Sequence, residues 1–83
     1  MSERISMTDV LESTINVNRR LKGTGRAVLP EWRNGYVGLD EYEVDSENHY
    51  GACIRTITAG TKREVYDFLH AMMVGIDLSR ETV

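Results

Sequence analysis

Five acidic residues stand close together in the middle of the chain, with no basic residue among them. They are Asp40, Glu41, Glu43, Asp45 and Glu47. On a β-strand every second residue shares a face, so the last four carboxylates would project together at a repeat of roughly 6.5–7 Å. This repeat is close to the spacing of phosphates along a nucleic-acid strand, and it predicts a surface that imitates DNA toward a nucleic-acid-binding protein. A solvated strand face, protected by its charge from edge pairing, is the alternative that the residues leave open.

Thr61, Lys62 and Arg63 form a second group, at the point where a predicted strand gives way to a predicted helix. The free N–H groups and the dipole of a helix N-terminus favour a bound anion, and the two cations would add to that preference. Together with Arg55 they predict a site for a phosphorylated small ligand or for nucleic acid. The structural alternative is a capped helix with solvent-exposed cations, because Gly60 stands alone and no glycine-rich cradle is present.

Cys53 and His49 are the residues that nucleophilic catalysis would need, and they lie near each other on one predicted strand. A thiol and an imidazole can form a catalytic dyad when the fold places them in contact. A cysteine within a strand is, however, usually a small hydrophobic residue. The chain also lacks the paired cysteine or histidine spacings that are typical of metal sites. We therefore expect no enzymatic activity, no metal and no cofactor.

The composition is that of a single small domain. The chain has 83 residues, a net charge of −3 and one cysteine, which excludes an internal disulfide and favours a reducing compartment. The N-terminus lacks the apolar segment of a signal peptide, and no run approaches the roughly 20 apolar residues of a membrane span. We expect one cytoplasmic domain over 1–83 without membrane contact. A core of this size is small, so a homodimer is a candidate assembly.

The first helix is predicted over residues 7–21. Ser6 and Asp9 have the spacing of a capping box, in which each side chain bonds to the backbone N–H of the other residue. Cations crowd the last turn, where they complement the carbonyl end of the helix dipole. Gly23 or Gly25 is expected to end this helix, because glycine adopts the left-handed conformation of a C-terminal cap.

The second helix is predicted from a stronger pattern. Thr61 and Glu64 form its capping box. Behind the cap, apolar residues recur at the spacing of one helical face: Val65, Phe68, Leu69, Met72, Met73 and Ile76. Gly75 is expected to stop the helix. The segment 77–83 is then expected to form a frayed tail or a short last turn.

Between the helices the pattern changes to that of strands. The predicted strands are 26–29, 36–44 and 49–58. The first strand runs into Pro30, which cannot donate to a ladder, so this strand belongs at a sheet edge. Asn34 and Gly35 are the favoured pair of a two-residue type I′ hairpin turn. Trp32 and Tyr36 flank that turn, where exposed aromatic residues would be rigid anchors for a protein partner.

These elements predict an α+β fold of order α-β-β-β-α, in which a three-stranded antiparallel meander packs against two helices. The order, with a basic start of the last helix, resembles the double-stranded-RNA-binding domain. The net negative charge and the acids Glu64 and Asp67 depart from that domain. The size, acidic balance and layout are also similar to several anti-CRISPR proteins, which block a nuclease by imitating its DNA.

The last third of the chain resembles small proteins encoded by bacteriophages and prophages, most of them without an assigned function. The residues that carry this resemblance are Tyr50, Gly51, Arg55, Gly60, Thr61, Lys62, Arg63, Glu64, Tyr66, Phe68, Leu69, Ala71, Met72, Gly75 and Ile76. The resemblance implies a phage-type protein that acts in the cytoplasm of the host cell.

Taken together, the sequence predicts a small non-enzymatic protein that occupies or inhibits a host protein, such as a nucleic-acid-binding protein of a defence system. The predicted partner-binding residues are Trp32, Tyr36, Asp40, Glu41, Glu43, Asp45 and Glu47. The alternative is a binder of a phosphorylated small ligand or of nucleic acid. Its predicted residues are Arg55, Thr61, Lys62 and Arg63.

Overall fold

The computed structural model describes residues 4–81, which fold as a helix, three strands and a second helix. The elements are α1 (Met7–Leu21), β1 (Arg26–Arg33), β2 (Tyr36–Val44), β3 (Tyr50–Gly60) and α2 (Lys62–Glu81). β2 lies in the middle of the sheet and pairs antiparallel with β1 on one side and with β3 on the other. The predicted α-β-β-β-α fold, with its antiparallel meander and two helices, is confirmed.

Both helices begin at the capping boxes that the sequence predicts. At α1 the Ser6 hydroxyl accepts from the Asp9 N–H at 3.2 Å, and the Asp9 carboxylate accepts from the Ser6 N–H at 2.9 Å. At α2 the Thr61 hydroxyl accepts from the Glu64 N–H at 3.1 Å, and the Glu64 carboxylate accepts from the Thr61 N–H at 3.0 Å. Each box satisfies N–H groups that a first helical turn cannot pair, so both helix starts are fixed by local sequence.

The end of α2 differs from the prediction, because Gly75 does not stop the helix. A glycine ends a helix by adopting a left-handed backbone, and Gly75 is not among the glycines that have a positive φ. Contacts with α1 hold the last turns: Arg20 Nε donates to Asp77 at 3.0 Å, and Arg80 donates to the Arg20 carbonyl. The predicted tail of 77–83 is helical as far as the structure describes it, and its last two residues lie outside the described residues.

The first strand and its turn also differ from the prediction. β1 continues through Pro30, which is possible at a sheet edge because the missing N–H removes no ladder bond there. The turn at Asn34 and Gly35 joins β1 to β2 as predicted, but only Gly35 has a positive φ, of 82°. A type I′ turn needs a positive φ at both residues, so the predicted turn type is wrong and the asparagine avoids the left-handed region. β3 lies slightly later than the predicted 49–58.

Both helices pack on one face of the sheet and run parallel to each other. The Ser13 hydroxyl lies 3.2 Å from His70 Nε2, and Arg20 lies 3.0 Å from Asp77. The second contact lies seven residues further along both helices than the first, so the helices run in the same direction. α1 packs over β1, and α2 packs over β2 and β3. The core between these layers is formed by Val10, Val17, Val28, Val37, Leu39, Val65 and Leu69. Because side chains alternate along a strand, the neighbour of Leu39, Asp40, lies on the face that no described helix covers.

Candidate functional site

Asp40 belongs to the predicted acidic row, but neighbouring side chains on the open face of the sheet cover its carboxylate. The residue is only 2% exposed. Its Oδ2 accepts from the Arg33 guanidinium at 2.7 Å, and its Oδ1 accepts from the Thr56 hydroxyl at 2.7 Å. Arg33 reaches the carboxylate across Gly38, where an added Cβ would collide with the guanidinium. The prediction that Asp40 lies on an exposed partner-binding surface is therefore wrong.

Opposing influences act on the ionisation of Asp40. Burial is the largest single influence and raises the pKa of the carboxyl group. The hydrogen bonds from Thr56 and Arg33, together with the positive charge of Arg33, outweigh burial and lower the pKa below 3.8. The hydrogen bond to Asp40 in turn raises the pKa of Arg33. Asp40 is thus a charged, internally paired group at neutral pH.

Glu41 is also neutralised within the chain. Its side chain is 15% exposed and lies between two arginines. One carboxylate oxygen is 3.3 Å from Arg26 Nε, and the other accepts from Arg55 Nε at 2.8 Å. The charge of Glu41 is therefore directed to these arginines and offers little to a partner. The same contact directs the Arg55 side chain of the edge strand β3 toward β2, although 70% of that side chain stays exposed.

The three remaining acids, Glu43, Asp45 and Glu47, lie at the end of the sheet where β2 turns into β3. We call these three residues the acidic tip. β2 ends at Val44, so the predicted common strand face does not extend to Asp45 and Glu47. Asp45 instead organises the turn, because its Oδ1 accepts from the N–H of Glu47 at 2.8 Å and from the N–H of His49 at 2.9 Å. These two hydrogen bonds lower the pKa of Asp45 below 3.8, and the bond from the His49 N–H has the larger effect.

The carboxylates of the acidic tip are open to solvent. The side chains of Asp45 and Glu47 are 54% and 77% exposed. Glu43 is exposed and makes no ion pair with any residue of 4–81. The imidazole of His49 lies 3.3 Å from Asp45 and 3.6 Å from Glu47, but it carries a charge only when it is protonated. The three carboxylates outnumber this single imidazole, so the net charge of the tip is negative whether or not His49 is protonated.

Trp32 and Tyr36 lie at the opposite end of β2 from the acidic tip. The strand between the hairpin turn and the tip spans about 26 Å at the usual rise per residue. Trp32 is half exposed, and Lys62 Nζ lies 5.2 Å from the centre of its ring, within the range of a cation–π interaction. Tyr36 is exposed as well. The structure therefore does not bring the predicted aromatic anchors and the acids into one surface.

The predicted anion site at the start of α2 is not assembled. The N–H and the hydroxyl of Thr61 are both bonded to Glu64, whose carboxylate takes the position of a bound anion. The hydrogen bond from the Thr61 backbone is the main cause that lowers the pKa of Glu64 below 4.5. Arg63 Nε lies 3.4 Å from Asp67, and Arg55 is held at Glu41. The geometry thus favours a capped helix over a phosphate-binding site.

Cys53 and His49 are exposed, and each of them contacts other residues rather than the other member of the pair. Cys53 Sγ lies 3.9 Å from the Arg55 carbonyl, and the His49 ring faces the acids of the tip. No hydrogen bond joins the two side chains in the described part of the chain, so the arrangement offers no nucleophile–base pair. Within residues 4–81, no group of three or more His, Cys, Asp or Glu residues is placed to hold a metal ion.

A cleft that the sequence analysis missed lies between the C-terminal half of α1 and the turn that follows β2. Its volume is about 860 Å³. Its lining includes the cations Lys22 and Arg26, Asp45 of the acidic tip, and the exposed side chains of Ile15 and Tyr50. These residues are far apart in sequence and meet only through the packing of α1 on the sheet. The cleft adds apolar surface beside the tip.

No family model, curated protein or solved structure matches the chain. The resemblances to phage proteins and to anti-CRISPR proteins therefore stay predictions. No helix within the described range is long and apolar enough to cross a membrane.

Proposed function

We propose that the chain is a small non-enzymatic protein that binds another protein through the acidic tip, in the place of a nucleic acid. This proposal is supported by the contrast between acids that are paired within the chain and acids that are exposed. Arginines of the same chain neutralise Asp40 and Glu41, whereas the carboxylates of the tip project into solvent. A cluster of exposed carboxylates steers and orients a partner whose own surface is basic.

The partner that fits this surface is a protein whose basic surface binds nucleic acid. Such a protein already presents lysine and arginine side chains to phosphates, so exposed carboxylates can compete for them through their charge. The exposed side chains of Ile15 and Tyr50 lie beside the tip and would supply the apolar contact that a purely ionic surface lacks. The similarity of layout and charge to anti-CRISPR proteins narrows the proposal to a nuclease of a host defence system.

The proposal is tested with a double charge reversal, Glu43→Lys with Glu47→Lys. Asp45 is kept, because it holds the turn through two backbone N–H groups. The partner is captured from host cells with the tagged chain and purified, and its Kd for each variant and its DNA binding in competition are then measured. We expect the reversal to raise Kd by about tenfold or more, to weaken its dependence on salt, and to restore DNA binding by the partner.

The matched control is Glu12→Lys with Glu81→Lys, because both residues are exposed helical acids and the change in net charge is the same. We expect this control to bind as the wild type does, and circular dichroism to show that both variants are folded. An equal loss of affinity in both variants would show that only net charge matters and would refute a site at the tip. Wild-type affinity of the tip variant would refute the proposal directly.

A further inference from the structure

The turn between β1 and β2 contains an asparagine that its surroundings do not restrain. Asn34 and Gly35 are both exposed. Neither the side-chain amide of Asn34 nor the N–H of Gly35 forms a hydrogen bond with any residue of 4–81. A Cβ added to Gly35 would meet no atom within 4 Å. The amide of Asn34 is therefore free to turn toward the main-chain nitrogen of the next residue.

An asparagine that precedes a glycine can react with its own main chain. The nitrogen of Gly35 loses its proton and attacks Cγ of Asn34. The new C–N bond closes a succinimide ring, and the side-chain NH₂ leaves as ammonia, taking up a proton in place of the one that was lost. Water then opens the ring at either carbonyl, which gives aspartate or isoaspartate. Glycine favours the first step, because it has no Cβ that would crowd the attacking nitrogen.

The structure restrains the other asparagines of the chain, which are Asn16, Asn18 and Asn48. The first two lie within α1, where the N–H of each following residue belongs to the helical ladder. The amide of Asn18 is also bonded to the backbone of β1 on both its oxygen and its nitrogen. After Asn48, the N–H of His49 donates to the Asp45 carboxylate at 2.9 Å. In each case a group that the reaction needs is already engaged.

We propose that the turn between β1 and β2 is a site of spontaneous deamidation, at which Asn34 converts to aspartate and isoaspartate while the other asparagines persist. Both products add a negative charge. Isoaspartate also routes the main chain through its side chain, which adds one carbon to the two-residue turn. This turn sets the register that brings Arg33 across Gly38 to Asp40. A longer turn weakens that contact and destabilises the folded chain.

The test follows the purified full chain during ageing in mildly alkaline buffer. A protease that cleaves after glutamate separates the asparagines, because the peptide 32–41 contains Asn34 alone and the peptides 13–31 and 48–64 contain the others. Mass spectrometry detects the exchange of NH₂ for OH, and the chain has no glutamine that could add to this signal. We expect the peptide 32–41 to react at least about tenfold faster than the others, whose amides react only after local opening. Equal rates in the three peptides, or no reaction in 32–41, would overturn the proposal.

Two variants locate the reaction. Asn34→Gln keeps the amide but would have to close a larger ring, so we expect the peptide 32–41 to keep its mass. Asn16→Gln is the matched control and is expected to leave the reaction in 32–41 at the wild-type rate. A mass increase that persists in 32–41 of Asn34→Gln would overturn the assignment, because that peptide then contains no asparagine.

The effect on stability is measured on the isoaspartate form, which is separated from the unreacted chain by its charge and from the aspartate form by chromatography. Asn34→Asp is the reference, because it has the same charge and an ordinary main chain. We expect the isoaspartate form to unfold at a lower urea concentration than Asn34→Asp does. Equal midpoints would show that the length of the turn does not control the contact of Arg33 with Asp40, and would overturn that part of the proposal. The acidic tip lies at the other end of β2, so neither result depends on the proposed function.

Discussion

Replacement of the buried carboxylate by an amide, Asp40→Asn, is the sharpest test of the structure. Asp40 has two oxygens, and each accepts one hydrogen bond, from Arg33 or from Thr56, both at 2.7 Å. Asparagine has the same shape but no charge: its one oxygen can accept from Arg33, and its NH₂ group can donate to the Thr56 hydroxyl, which then accepts. Both bonds therefore lose the negative charge of the carboxylate, and water cannot compensate for this loss because the residue is only 2% exposed.

The size of the effect follows from the number of bonds that change. A hydrogen bond to a charged group contributes about 1.5–3 kcal/mol and a neutral one about 0.5–1.5 kcal/mol, so each of the two bonds loses roughly 1 kcal/mol or more, and the Arg33 charge loses its buried partner. We therefore expect Asp40→Asn to lower the free energy of unfolding by about 2–4 kcal/mol. For a domain of this size, that loss corresponds to a decrease in Tm of about 10–25 °C.

The assay is urea unfolding followed by circular dichroism at neutral pH. Asp67→Asn is the control, because it removes the same charge from an ion pair with Arg63 that is open to solvent. Surface ion pairs contribute about 0–1 kcal/mol, so this control is expected to remain close to the wild type. If Asp40→Asn destabilises the protein no more than the control does, the Asp40 carboxylate does not form the buried bonds with Arg33 and Thr56.

The difference in stability between the wild type and Asp40→Asn is expected to depend on pH. The pKa of Asp40 is lower in the folded chain than the 3.8 of the free group, so its stabilising contribution is complete above pH 3.8. The contribution is lost as the pH falls through the folded pKa. The difference in stability between wild type and Asp40→Asn is therefore expected to be constant near neutral pH and to shrink below pH 3.8. A difference that grows on acidification would contradict this.

Two further substitutions probe neighbouring features. Gly38→Ala pushes the Arg33 guanidinium away from Asp40, so we expect a loss of about 1–3 kcal/mol in urea unfolding. An unchanged stability would show that Arg33 does not cross the glycine. Asn18→Ala leaves the N–H and the carbonyl of Val28 without their partner and is expected to cost about 1–3 kcal/mol in the same assay. Retention of wild-type stability would show that solvent satisfies these groups equally well.

The parts of the fold that the sequence predicts well are those that local chemistry decides. Each capping box needs two residues at a spacing of three, and the turn at Gly35 needs one residue that tolerates a positive φ. The end of α2 could not be predicted in this way. Gly75 is a possible stop, but Asp77 and Arg80 form bonds to α1 that keep the chain helical, and those bonds depend on tertiary packing.

The candidate site was predicted less well, because the spacing of charged residues along the sequence does not show which residues of other strands pair with them. The acidic row reads as one surface, yet Asp40 and Glu41 are neutralised by arginines that come from other strands. One signal for this was present in the sequence. A two-residue turn fixes the register of β1 against β2, which places Arg33 near Asp40 across a glycine that leaves room for its side chain. Thr56 could not be assigned, because the register shifts of β3 decide which residue faces Asp40.

One edge of the sheet is closed by residues of the chain itself. A sheet with two open edges can add strands on both sides, which is how fibrils extend. At the edge of β1, Asn18 of α1 occupies both backbone groups of Val28, and Pro30 has no N–H to offer to an incoming strand. The amide that α1 presents to Val28 thus protects this side of the sheet from open-ended strand addition.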